Sequence, residues 1–139
     1  MKHLLALAAT TAFIWAAPVS AQNSSTSPDL SAAIAADYDR QLKDLFLDFH
    51  QNPELSYKET RTAGIIARKW REAGFTVTEK VGGTGVVAVM ENGEGPTLML
   101  RADMDGLPLV EDSGLSYMST VKQVSIDGEE KPVMHACGH

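Results

Sequence analysis

The chain has 139 residues, of which 44% are hydrophobic and 22% charged, a composition typical of a globular protein of at most one domain. Its net charge of −6 and its lack of a Lys/Arg cluster argue against nucleic-acid binding, since nothing would neutralise a phosphate backbone. The single cysteine excludes an intramolecular disulfide, so stability must come from packing or from a metal.

Residues 1–21 have the pattern of a signal peptide. Lys2 supplies a positive charge, residues 4–17 are uncharged, and residues 18–21 provide a small-residue cleavage site after Ala21. The alternative, a buried N-terminal helix, would lack a polar face, and this apolar stretch is short for a membrane anchor. We therefore expect a periplasmic or secreted mature chain of 118 residues, with a net charge of about −7 and no membrane span.

Two helices are predicted after a Ser/Asn/Thr-rich linker at residues 22–29. From residue 30 to 49, apolar side chains recur at steps of three and four, which predicts an amphipathic helix that ends before Pro53. A second helix is predicted over residues 58–73, because its apolar residues share one face and Gly74 follows as a stop signal.

Strands are predicted in the middle of the chain. Residues 75–78 and 86–90 form two strands joined by the glycine-rich turn 82–85, and Asn92-Gly93 is a hairpin signal. Residues 97–100 are an apolar run that predicts an interior strand.

A small surface hairpin is predicted between residues 109 and 131, around the acidic turn 127–130. The order of helices and strands predicts an α/β fold whose strands belong to a larger sheet.

The last residues of the chain are its densest group of candidate ligands. His135, Cys137 and His139 alternate with small residues, so in an extended segment their side chains would face one side and suit zinc, nickel or cobalt. The alternative is that Cys137 is a small buried hydrophobe and the histidines are solvated. A structural site needs four ligands, so the others would have to come from elsewhere.

A second acidic site follows the predicted strand 97–100. Asp103 and Asp105 share a face if that strand continues, and two close carboxylates need a cation or Arg101 between them. The alternative is an Asp-rich surface turn. His50, at the end of the first helix, is explained most simply by its attraction to the helix dipole.

Four ordered motifs resemble the amidohydrolase branch of the M20 metallopeptidase family, which includes hippurate hydrolases, N-acyl-amino-acid amidohydrolases and indole-acetyl-amino-acid hydrolases. The resemblance runs from about Leu42 to the last residue. The motifs are His-Gln-Asn-Pro-Glu-Leu-Ser at residues 50–56 with Glu59, Gly-Thr-Gly-Val-Val-Ala at 83–88, Leu-Arg-Ala-Asp-Met-Asp-Gly-Leu-Pro at 100–108, and Met-His-Ala-Cys-Gly-His at 134–139.

The resemblance implies the amino-terminal part, residues 30–139, of a three-layer catalytic domain with a mixed sheet between helices and two divalent cations. In the family, a smaller domain covers the site and often pairs subunits. We expect that domain to lie outside these residues, so a homodimer would form through it.

The resemblance also implies roles for individual residues. Cys137 and His139 match two metal ligands, and Asp105 matches an aspartate that orients the site. Asp103 stands where related peptidases have a metal-binding histidine, so it and His135 are expected to support the metal indirectly. The two cations would be Zn, Mn, Ni or Co.

The implied reaction is metal-assisted hydrolysis of the amide bond of a small N-acyl amino acid or a short peptide. The family's general base and remaining ligands match no residue here, so the chain alone is expected to bind metal weakly and to be inactive. Two alternatives are a carboxypeptidase or dipeptidase of the same architecture and a truncated, non-catalytic periplasmic metal-binding protein. Gly106, in place of the family's commoner Ala, is expected to be a small change.

Overall fold

The structure, a computed structural model, describes residues 28–137; the predicted signal peptide and most of the predicted linker lie outside this range. Helix α1 (Pro28–Asp37), a π-helical turn (Tyr38–Leu42) and helix α2 (Lys43–Gln51) follow one another without a break. The predicted first helix is therefore confirmed. In the described part of the chain, no helix is long and apolar enough to cross a membrane.

The apolar stripe of this first helical segment is only partly covered. Ile34, Tyr38 and Leu42 are 56%, 49% and 45% exposed, whereas Leu45 and Phe49, nearer the end of α2, are half-buried. The periodicity correctly predicted the helix. Within residues 28–137, however, only its C-terminal end is packed.

Helix α3 (Thr60–Glu72) confirms the second predicted helix. Its first turn is capped by the Glu54 carboxylate, which accepts hydrogen bonds from the Arg61 and Thr62 amides at 3.0 and 2.7 Å. This contact satisfies two amides that have no partner within the helix, and a negative charge is favourable at this end. The helix stops at Gly74, whose φ of 90° suits a residue without Cβ.

Strands β1 (Thr76–Val81) and β2 (Gly85–Val89) form the predicted antiparallel hairpin. The turn between them uses Gly82 and Gly83, both with positive φ. A buried carboxylate, Glu59, accepts a 2.5 Å hydrogen bond from the Thr84 hydroxyl and so fixes this turn against the start of α3. The turn therefore has a structural role.

The interior strand predicted at residues 97–100 is wrong, and so is the hairpin turn at Asn92-Gly93. Residues 90–105 contain no strand, and Leu98, Met99 and Leu100 are more than 80% exposed. An apolar run becomes a strand only when neighbouring strands accept its backbone hydrogen bonds. No such neighbour is present within the described residues.

Strands β3 (Lys122–Val124) and β4 (Glu130–Pro132) form the predicted surface hairpin. The fold is α/β as predicted, and the strands of residues 28–137 lie in two separate antiparallel pairs.

Three short segments from distant parts of the sequence pair at the centre of the molecule. We call residues 54–55, 106–107 and 133–134 the motif junction. The Gly106 amide donates to the Glu54 carbonyl at 2.7 Å, and Leu107 and Met134 exchange two backbone hydrogen bonds of 2.8 and 3.0 Å. The junction therefore aligns three of the four motifs side by side.

Gly106 is tightly packed within the motif junction. A Cβ at this position would lie 2.8 Å from Val133 Cγ1 and 3.1 Å from Pro53 Cβ. Val133 and Pro53 are fully buried, so neither has room to move away. The expectation that Ala would be a small change here is therefore wrong, because the packing leaves no space for a methyl group.

We expect Gly106→Ala to lower the free energy of unfolding by about 1–3 kcal/mol through overpacking. The matched control is Gly64→Ala, since Gly64 lies within α3 with nothing near its missing Cβ. This change should raise stability by about 0.5–1 kcal/mol. Urea denaturation measures both variants, and a Gly106→Ala variant as stable as wild type would contradict the packing argument.

Candidate metal and catalytic site

The two candidate aspartates lie just before the motif junction and have different partners. Asp105 is half-buried and accepts a hydrogen bond from the Ser56 hydroxyl. Asp103 forms an ion pair with Arg101. Each aspartate therefore has its own partner, a hydroxyl donor for Asp105 and a cation for Asp103.

His135 follows the junction directly and is half-buried. Burial lowers the pKa of His135 most, the neighbouring His50 lowers it further, and Asp105 opposes the shift. The backbone pairing of Leu107 with Met134 puts Asp105 and His135 on neighbouring segments. The junction thus brings together two candidate residues from motifs about 30 positions apart.

Of the two predicted metal ligands, the structure describes one. Cys137 is an exposed free thiol, and His139 lies outside the described residues. Carboxylate, imidazole and thiol are donors that suit zinc and related cations, so the residue types fit a metal. In residues 28–137, however, no three His, Cys, Asp or Glu side chains are close enough to hold one. Metal binding by Cys137 and His139 therefore stays a prediction.

A buried carboxylate that the sequence analysis did not single out lies beside this site. Glu111 has a side chain with no exposed surface. It accepts hydrogen bonds from the Ser113 hydroxyl at 2.5 Å, the Ser119 amide at 2.7 Å and His50 Nε2 at 3.0 Å. These donors, with the Ser113 hydroxyl contributing most, lower the pKa of Glu111 to about 2. Glu111 is therefore an anion at neutral pH.

His50 is the link between helix α2 and this carboxylate. Its ring is 13% exposed, stacks on Phe46 and meets Tyr117 edge-on, with ring centroids 5.5 Å apart in the second contact. The helix dipole alone does not explain this residue, since its partner lies 61 positions away in sequence. The available sequence signal was an acidic residue ending the otherwise apolar run 107–111.

A cavity of about 260 Å³ opens beside Ser56, the partner of Asp105. The β3–β4 hairpin contributes Ile126 and Lys131 to its wall, and Tyr57 and Leu107 contribute from the motif segments. The surface hairpin therefore forms part of the surroundings of the candidate site.

Comparisons with known proteins support the resemblance. A hippurate hydrolase of Campylobacter jejuni is 45% identical over 91 residues, and thermostable carboxypeptidase 2 of Saccharolobus solfataricus is 47% identical over 92 residues. Each match covers 65% of this chain and 21% of the relative. No family model matches the chain.

The fold is similar to that of a solved structure, a dinuclear metal binding peptidase from the M20 family of Bacillus subtilis. The TM-score is 0.59 at 34% sequence identity, covering 76% of this chain and 27% of the other. This chain thus spans about one fifth of the length of the relatives named above and about one quarter of this structure.

The lowered pKa of Glu111 predicts acid sensitivity. Its folded-state pKa of about 2 is below its ordinary value of 4.5, so its stabilising effect is present above pH 4.5 and is lost as the pH falls toward 2. We expect Glu111→Gln to be less stable than wild type at pH 7 and to lose less stability between pH 4.5 and 2. Asp112→Asn, an equal charge change at an exposed neighbour, should follow wild type. Denaturation curves across this pH range test the prediction, and parallel pH profiles for wild type and Glu111→Gln would contradict it.

Proposed function

We propose that the chain is part of an M20-family metal-dependent amidohydrolase that cleaves the amide bond of N-acyl amino acids; its likeness to a hippurate hydrolase and to an M20 peptidase structure supports this. The observation that carries this proposal is the motif junction. It aligns the segments bearing Ser56, Asp105 and His135 in a chain that is 45% identical to a hippurate hydrolase over 91 residues.

The proposed site takes two divalent cations, chosen from Zn, Mn, Ni and Co, with Cys137 and His139 as ligands. The dinuclear metal binding peptidase of similar fold supports the number of cations. When bound, such cations polarise an amide carbonyl and lower the pKa of a water molecule. In this chain, Ser56 holds the Asp105 carboxylate in place, and Asp105 in turn orients the site.

The proposed substrates are small N-acyl amino acids. The proposed assembly is a homodimer formed through a domain outside these 139 residues. A carboxypeptidase or dipeptidase activity is the second candidate, and the 47% identity to a thermostable carboxypeptidase favours it specifically. A non-catalytic metal-binding protein is the third.

The proposal is tested on the native gene product, captured from source cells with an antibody against residues 30–110. We expect hippurate hydrolysis to stop on chelation and to return with one of the four cations. Asp105→Asn and Cys137→Ser should each lower kcat/KM by about 100-fold or more, because each removes a group that holds or orients the cations. Glu94→Gln, the same carboxylate-to-amide change at an exposed position, should leave kcat/KM unchanged.

Other outcomes separate the alternatives. Metal-dependent cleavage of unblocked peptides without cleavage of hippurate would favour the carboxypeptidase or dipeptidase. Stoichiometric metal binding that depends on Cys137, without hydrolysis of either substrate, would favour the non-catalytic protein. A product of about 13 kDa, the mass expected for 118 residues, would also count against the enzyme.

We further propose that the protein is exported. The support is the charge, length and cleavage-site pattern of residues 1–21. Edman sequencing or peptide mass mapping of the native protein should find Gln22 as the first residue, and fractionation should find the protein in the periplasm or the medium. Retention of Met1 on a protein found in the cytoplasm would contradict export.

A further inference from the structure

Two hydrogen bonds connect Glu111 to the segment that carries the candidate ligands. Glu111 Oε2 accepts a 2.7 Å hydrogen bond from the Ser119 amide. The Ser119 hydroxyl then donates to the Val133 carbonyl, also at 2.7 Å. Ser119 is itself buried, so both contacts are shielded from water. Ser119 is thus the single residue that links the buried Glu111 carboxylate to the backbone of Val133. This backbone leads into His135 and Cys137.

The segment is held from two sides. On one side, the Val133 amide donates to the Val121 carbonyl at 3.0 Å, next to the Ser119 contact. On the other side, Met134 exchanges its two backbone hydrogen bonds with Leu107. Val133 and Met134 therefore form the middle of three extended segments. The segments on both sides of them fix the position at which the following residues begin.

The geometry of Glu111 makes its side of this arrangement rigid. A buried charge is tolerated only while its hydrogen bonds are kept, and each of its three donors comes from a different residue. Movement of Ser119 would therefore leave one carboxylate oxygen without a donor that it needs. The need to keep this hydrogen bond therefore holds residue 119 next to residue 111 and closes the loop between them.

We propose that Glu111 is a positioning residue that, through Ser119, fixes the backbone of Val133 and Met134 and so the point from which the segment bearing Cys137 starts. It acts through another residue and does not itself contact substrate or cation. The inference rests on the proposed function in one step, the assignment of Cys137 as a ligand. The positioning of the backbone can be measured without any metal.

The first measurement is native-state hydrogen exchange on the metal-free native gene product. In Glu111→Gln and in Ser119→Ala, we expect the Val133 and Met134 amides to exchange roughly tenfold faster than in wild type, because a hydrogen bond that fixes this segment is lost. The amides of helix α3, which does not take part in this connection, should lose no more protection than the fall in global stability of each variant explains. Asp112→Asn is the matched control and should exchange like wild type throughout.

Two exchange results would overturn the inference. The first is unchanged exchange at Val133 and Met134 in both variants. The second is a loss of protection at Val133 and Met134 no larger than that across helix α3, because Glu111 would then act only through the stability of the whole fold. Ser119→Ala keeps the charge of Glu111 in place, so it remains informative if Glu111→Gln fails to fold.

The second measurement is Co²⁺ affinity, followed by the absorption of a Co²⁺–thiolate bond to Cys137. We expect roughly tenfold weaker binding in Glu111→Gln and Ser119→Ala, as is typical when a group supporting a ligand is removed. Faster exchange with unchanged Co²⁺ affinity would contradict a role in positioning the ligands. If wild type shows no thiolate absorption, Cys137 is not a ligand and the proposed metal site fails, whereas the exchange result still decides the positioning of the backbone.

Discussion

The backbone pairing of residues 54–55, 106–107 and 133–134 is the contact on which the site depends. A sheet of two-residue segments has too few hydrogen bonds to be stable by itself, and closing the long loops between the segments costs entropy. Burial of Pro53, Leu55 and Val133 around Gly106 offsets that cost. The absence of a side chain at Gly106 allows this close packing, because a Cβ would push the segments apart. Asp105 and His135 are therefore placed near each other by packing that involves neither of them.

Carboxylates hold segments of the chain together by hydrogen bonds where little apolar surface is buried. Glu54 caps helix α3 and accepts the Gly106 amide through its backbone, Glu59 fixes the β1–β2 turn, and Glu111 holds the loop that supports Val133. Each carboxylate satisfies amide or hydroxyl donors, and the Glu54 backbone carbonyl satisfies the Gly106 amide. Acidic residues in and beside the motifs thus have structural roles, and Asp105 lies half-buried at the edge of the junction with the Ser56 hydroxyl as its partner.

Features set by local sequence were predictable, whereas features set by distant partners were not. Helix α3, its stop at Gly74 and the Gly82–Gly83 turn depend on residues within a few positions, and all three are confirmed. The run at 97–100 has the composition of a strand, but a strand also needs neighbours that composition cannot reveal. The Glu111–His50 pair could not be predicted, because its two residues are 61 positions apart and an acidic residue at the end of the apolar run 107–111 does not reveal its partner. Asp105 and His135 were identified from their motifs, but their common location needed the junction.

The position of Cys137 relative to the junction bears on how a metal site would form. Within residues 28–137, the last backbone hydrogen bonds along the chain are those of Met134, and exposure rises from half-buried His135 to exposed Cys137. The fold therefore fixes the backbone at Met134 more firmly than it fixes the position of the Cys137 thiol. Ligation would supply the remaining order, so part of the binding free energy would be used to fix the segment, and affinity would depend on how well Val133 and Met134 are held beforehand. A tight backbone anchor a few residues before an exposed thiol lowers that cost without requiring a preformed set of ligands.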